Sequence, residues 1–188
     1  MKKTILIALT VLVASFASVA HAGERSLTIV LAGAAEADGI TIGLSPDGRS
    51  YTIASIAALE VGGGVCTHPA GNPDELFCET APIAGFEVNA GAGDDVVSVG
   101  HEVPVPVTLR GGGGDDKLVG AAGNDKLIGG PGNDVLVGRA GDDWISGGSG
   151  DDKLVGGSGD DTLYGGPGQN RMLGGTGTNE ISVGPLGG

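Results

Sequence analysis

Gly147-Gly148-Ser149-Gly150-Asp151-Asp152-Lys153-Leu154-Val155 is one unit of a nine-residue period that runs through the C-terminal part of a 188-residue chain. Units begin at Gly111, Gly120, Gly129, Gly138, Gly147, Gly156, Gly165 and Gly174. Position four is glycine in all eight. Position six is Asp116, Asp125, Asp134, Asp143, Asp152 and Asp161, then Asn170 and Asn179. Position eight is always aliphatic or methionine: Leu118, Leu127, Leu136, Ile145, Leu154, Leu163, Met172 and Ile181.

Each position has a physical reason. Glycines one, two and four allow positive φ and expose carbonyl oxygens with no Cβ in the way. The aspartate adds a hard, charged oxygen. Calcium takes six to eight such oxygens, carboxylate and carbonyl together. Residues seven to nine read as a short strand, with position eight facing inward because side chains alternate. One unit is then a turn plus a strand, and two units complete a coil of eighteen residues. A disordered linker would not place an aliphatic residue at every ninth position, and collagen needs glycine at every third.

These units resemble the repeats-in-toxin, or hemolysin-type, calcium-binding nonapeptide GGxGxDxUx. The resemblance implies an all-β fold: a parallel β-roll, or two-sided β-helix, with calcium held between the turns of units i and i+2. One side would stack Asp116, Asp134, Asp152 and Asn170, and the other Asp125, Asp143, Asp161 and Asn179. Pairs with two aspartates would make four strong sites. Pairs that include an asparagine lose a charge and should bind more weakly. An outlying copy, Ala90-Gly91-Ala92-Gly93-Asp94-Asp95-Val96-Val97-Ser98, begins 21 residues before Gly111. Asp95 would then stack above Asp116, with His101-Glu102-Val103-Pro104 holding the extra residues as a bulge. The expected ligands are Asp95, Asp116, Asp125, Asp134, Asp143, Asp152 and Asp161, for about four to six ions at six to eight oxygens each. The acidic residues at position five, such as Asp115 and Asp151, read as solvated turn residues.

The rest of the chain fits an exported protein. Lys2 and Lys3, an apolar stretch to Ala20 and the small-residue site Ala20-His21-Ala22 form a signal peptide over 1–22. Export points to the extracellular space or the periplasm, where the only cysteines, Cys66 and Cys78, would form a disulfide. Many repeats-in-toxin proteins instead use an uncleaved C-terminal secretion signal, so this chain departs from the family there. Formal net charge is −13, and −15 once Lys2 and Lys3 are removed. Such a surface excludes nucleic acid, whose phosphates need lysine and arginine, and suits neutralisation by bound cations. No later stretch is apolar enough to span a membrane.

Residues 23–89 read as a small N-terminal β cap, 90–182 as the roll, and 183–188 as a tail. Leu27–Leu31, Ile40–Ile42 and Tyr51–Ile53 are candidate strands, with a turn at Ser45-Pro46-Asp47-Gly48. A roll needs a cap because its first coil exposes an apolar end and an unpaired strand edge. No catalytic constellation is present, so the chain does not read as an enzyme. His101-Glu102 is not HExxH, no GxSxG occurs, and no Walker lysine follows the glycines. Two functions remain. One is a calcium-binding module that folds on binding, because one aliphatic residue per nine buries too little surface alone. The other is a calcium-stiffened spacer contacting a cell surface or matrix, suggested by apolar residues at position nine.

Overall fold

The computed structural model describes residues 27–32, 39–46, 48, 50–55, 66–67, 75–79 and 83–184. The signal-peptide assignment lies outside them. The N-terminal strands are β1 (Leu27–Ala32), β2 (Gly39–Leu44), β3 (Ser50–Ser55), β4 (Cys66–Thr67) and β5 (Glu75–Glu79). Next come β6 (Ile83–Ala92), β7 (Val96–Val99), β8 (Val107–Gly113), β9 (Lys117–Val119), β10 (Lys126–Pro131) and β11 (Val135–Ala140). The last are β12 (Trp144–Ser149), β13 (Lys153–Ser158), β14 (Thr162–Tyr164), β15 (Arg171–Thr176) and β16 (Glu180–Ser182). Among the described residues no helix is long and apolar enough to cross a membrane.

From β6 onward the strands alternate between two parallel sheets, and the chain winds as a solenoid of about five turns. One sheet runs β1-β6-β8-β10-β12-β14-β16, and the other β15-β13-β11-β9-β7-β2-β3-β5-β4. Register advances by eighteen residues per coil: Leu127 pairs with Ile145, which pairs opposite Leu163, and Leu118 with Leu136 and then Leu154. This is the parallel β-roll expected from the repeat.

Two local details differ from the sequence expectation. Most strands in the middle of the roll are six residues long, as in Lys126–Pro131, so they cross into the first three positions of the next unit. The first and second glycines also do different work. Gly130, at position two, has φ 128°, which side-chain-bearing residues rarely adopt. Gly129, at position one, is not in that region. A Cβ there would lie 2.1 Å from Asp134 Oδ2 and 2.4 Å from the Gly147 carbonyl oxygen. The first glycine preserves space, and the second permits the turn.

Position eight fills the interior. Leu118, Leu127, Leu136, Ile145, Leu154 and Leu163 are fully buried. Burying each one contributes roughly 2 kcal/mol. Packing fades at the C-terminal end, where Met172 is only partly buried and Ile181 is 47% exposed. At the other end the core widens to include Ile40, Ile42, Ile53, Tyr51 and Phe86, the last two meeting edge to face at 4.9 Å.

The N-terminal strands extend both sheets. β1 lies parallel to β6, and β2 parallel to β7. β3, β5 and β4 then continue outward in antiparallel pairing. That register places Cys66 directly opposite Cys78. A turn joins β2 to β3, closed by Gly48 N–H donating to Ser45 O at 2.8 Å. Between β7 and β8 the coil is three residues longer than its successors, since Val88 pairs with Leu109 and Val97 with Leu118. The irregular 100–106 segment absorbs them: Val103 is buried, Val103 N–H donates to Gly100 O, and Glu102 Oε1 accepts from Leu44 N–H.

Candidate metal centre

Every turn hands its position-six residue to the coil before it. Asp134 Oδ1 accepts the Asp116 backbone N–H at 2.8 Å, and Asp152 Oδ1 accepts that of Asp134 at 2.9 Å. The stack begins where Asp116 Oδ1 accepts from Asp95 N–H, and it ends where Asn170 Oδ1 accepts from Asp152 N–H. On the opposite edge Asp143 Oδ1 accepts from Asp125, Asp161 from Asp143, and Asn179 from Asp161. Asp125 Oδ1 takes the Val107 N–H. The two expected stacks are therefore present, and Asp95 stands above Asp116 across its 21-residue spacing.

All seven aspartates are at most 2% exposed. One carboxylate oxygen of Asp116, Asp125, Asp134, Asp143, Asp152 and Asp161 is used by the ladder. The other oxygen, Oδ2 of Asp116, Asp134, Asp143, Asp152 and Asp161, is buried without a hydrogen-bond partner. Leaving such an oxygen unsatisfied costs about 1–3 kcal/mol, and more when it is charged. Each Oδ2 faces the space kept open by the first glycine of its own turn. The Gly138 Cβ position is 2.0 Å from Asp143 Oδ2 and 2.8 Å from Gly156 O, and the Gly156 position 2.2 Å from Asp161 Oδ2 and 2.5 Å from Gly174 O. A cradle lined by a bare carboxylate oxygen and a carbonyl of the next coil fits a hard cation that takes oxygen ligands, the chemistry of calcium. Among the described residues no three His, Cys, Asp or Glu side chains converge. The donor set must therefore mix carboxylate with backbone carbonyl.

The asparagine units provide an internal comparison. Asn170 Nδ2 lies 2.7 Å from the Gly165 Cβ position, where the aspartate units place Oδ2. It donates to Gly166 O at 2.9 Å, and Asn179 Nδ2 donates to Gly175 O at 3.4 Å. An amide satisfies the turn with its own hydrogens, whereas a carboxylate leaves it acceptor-rich.

Electrostatics agree with that picture. Desolvation raises the carboxyl groups of Asp116, Asp152 and Asp161. It lifts Asp134 to about 6 and Asp143 to about 7, and neighbouring carboxylates add to it, for Asp143 those of Asp125, Asp161 and Asp142. Asp125 rises to about 6 by desolvation, opposed by N–H groups of Ala121 and Val107 and by Arg139.

Two features escaped the sequence reading. Position five is not simply solvated. Asp94, Asp115, Asn133 and Asp151 each accept through Oδ1 from the N–H of the position-five residue one coil later, as do Asn124, Asp142 and Asp160. This outer ladder points along the roll opposite to the inner one. Its signal was present: position five is Asp, Asn or Gln in eight of the nine units and Thr178 in the last, and only the first three types offer a carbonyl or carboxylate oxygen for an N–H to reach. The second feature is Arg139. It occupies a second-glycine position and is the only non-glycine with positive φ among the described residues, at 90°.

The family model of the RTX calcium-binding nonapeptide repeat (4 copies) matches residues 110–145, 128–163 and 146–181. Neither a curated protein nor a solved structure matches the chain. With ladder, cradle and family match in agreement, residues 110–181 are an array of RTX calcium-binding nonapeptide repeats.

Proposed function

We propose that this is an exported protein whose repeat roll folds when calcium binds between stacked turns. The observation that carries this reading is the row of buried Oδ2 atoms with no partner. The ligands are Asp95, Asp116, Asp125, Asp134, Asp143, Asp152 and Asp161, with carbonyls of the adjoining glycine turns completing each cage. Bound calcium supplies the positive charge and the oxygen coordination that these turns lack. The residues themselves orient the cages, because the Oδ1 ladder fixes each carboxylate and the first glycine keeps its cradle clear. Binding free energy becomes folding free energy when the cages do not exist in the unfolded chain. Extracellular modules of this kind bind at about 0.1–1 mM, so low calcium inside the cell leaves the chain export-competent.

The repeat roll is a structural calcium-binding domain, and we assign the whole chain a binding role. The cross-strand position of Cys66 and Cys78 supports a disulfide that staples β4 to β5 in an oxidising compartment. Circular dichroism tests the main claim: coil in chelator should turn to strand on adding calcium, and an unchanged spectrum would defeat it. A spacer role at a surface or matrix is favoured by the apolar C-terminal end, where Leu173, Ile181 and Val183 are 64%, 47% and 71% exposed. Sedimentation in calcium separates the two readings, since a spacer that docks end-on should associate with rising concentration.

A further inference from the structure

The 120 and 138 units break the glycine rule at position two, with Ala121 and Arg139. Ala121 does not adopt positive φ. Its N–H turns instead toward Asp125 Oδ2, at 2.6 Å. Both oxygens of Asp125 are thus partnered, by Ala121 and Val107. Asp116, Asp134, Asp143, Asp152 and Asp161 have no such second donor. Arg139 sits one coil further on, and its guanidinium reaches back toward the N-terminus. Nη1 donates to Gly120 O at 2.8 Å and to Val99 O, two coils from its own.

Gly120 O is the carbonyl of a first glycine. Its counterparts Gly138 O, Gly147 O, Gly156 O, Gly165 O and Gly174 O each face the cradle of the preceding turn. Here the preceding turn is the irregular 100–106 segment, which carries no position-six aspartate. It does carry Glu102, whose carboxyl is held low first by backbone N–H groups and also by His101 and Arg139. Arg139 therefore stands between carbonyl oxygens with two carboxylates, Asp125 and Glu102, in its field. That is the environment offered to calcium elsewhere in the roll.

We propose that Arg139 is a resident cation, occupying with its guanidinium the place that a calcium ion would take between the 100–106 segment and the Asp125 turn. It joins the roll to the 100–106 segment and the N-terminal strands without metal. The positive φ at Arg139 fits that role, since arginine is tolerated in a glycine conformation where its head group is fixed by two carbonyls. The inference rests on reading the other turns as calcium sites, and its test separates the two.

Wild type, Arg139→Gly and Arg139→Lys would be titrated with calcium by calorimetry. Arg139→Gly restores the glycine its φ calls for and should bind one more ion than wild type, while Arg139→Lys should not. Equal stoichiometry for wild type and Arg139→Gly would overturn the proposal. Hydrogen exchange at limiting calcium, just enough to fold the roll, provides a second measurement. Amides of Val107 and Ala121 should exchange at least about tenfold faster in Arg139→Gly than in wild type, and excess calcium should restore their protection. Unchanged exchange would also count against the proposal. If neither protein binds calcium, the calcium reading fails, and the exchange comparison alone decides the role of Arg139.

Discussion

At Asp143, burial and three neighbouring carboxylates act on one group, and only one of its oxygens has a donor. Asn170 solves the same turn with an amide that reaches Gly166 O. Exchanging the two chemistries should therefore exchange the behaviour. Asp143→Asn should raise metal-free stability by about 1–3 kcal/mol, the cost of one unsatisfied buried acceptor, while lowering the number of ions bound. Asn170→Asp should do the reverse, adding an ion and weakening the metal-free state. Urea unfolding at limiting calcium, paired with calorimetry in excess calcium, reads both. A methyl group at the first glycine tests the cradle itself. In Gly129→Ala the Cβ would fall 2.1 Å from Asp134 Oδ2, so the calcium-bound roll should lose about 1–3 kcal/mol from overpacking, and calcium affinity should fall with it.

The strand is the unit through which the core is built. Leu136 in β11 is fully buried, and its replacement by alanine should cost about 2–5 kcal/mol. Ile181 in β16 holds the same place in the repeat but is 47% exposed. Ile181→Ala should cost less than about 1 kcal/mol, far below a buried truncation, and equal losses at the two sites would contradict the packing described. The period of nine made the strands, their inward residue and both aspartate stacks legible, because one side chain per unit must face the interior and one must meet its counterpart a coil away. The strand lengths were not legible, since pairing of Gly148 with Gly130 depends on a neighbouring coil and not on β propensity. Nor did the glycines reveal which ones turn the chain and which keep space. That division appears only when the aspartate of the same turn folds back over position one. Arg139 was visible as a break in the pattern, but its partners Val99 and Gly120 lie 40 and 19 residues away, beyond what spacing can connect.

For the molecule as a whole, stability should depend on pH in opposite senses with and without metal. Asp134 and Asp143 have folded-state values raised to about 6 and about 7 from an ordinary 3.8. A raised carboxyl binds more protons folded than unfolded between those values, so stability in chelator should fall as pH rises from about 4 to about 7. In calcium the carboxylates must be ionised to coordinate, and stability should fall as pH drops through about 7 to 6. Strand content by circular dichroism across pH 4–8 in both media checks the crossing, with strand in chelator growing only as pH falls toward 4. The central claim is that metal replaces the large core this roll lacks, and small-angle scattering tests it most directly. In chelator at neutral pH the radius of gyration should approach that of an unfolded chain, about 46 Å for this length, and in millimolar calcium it should contract toward about 16 Å. A chain equally compact in both solutions would contradict it.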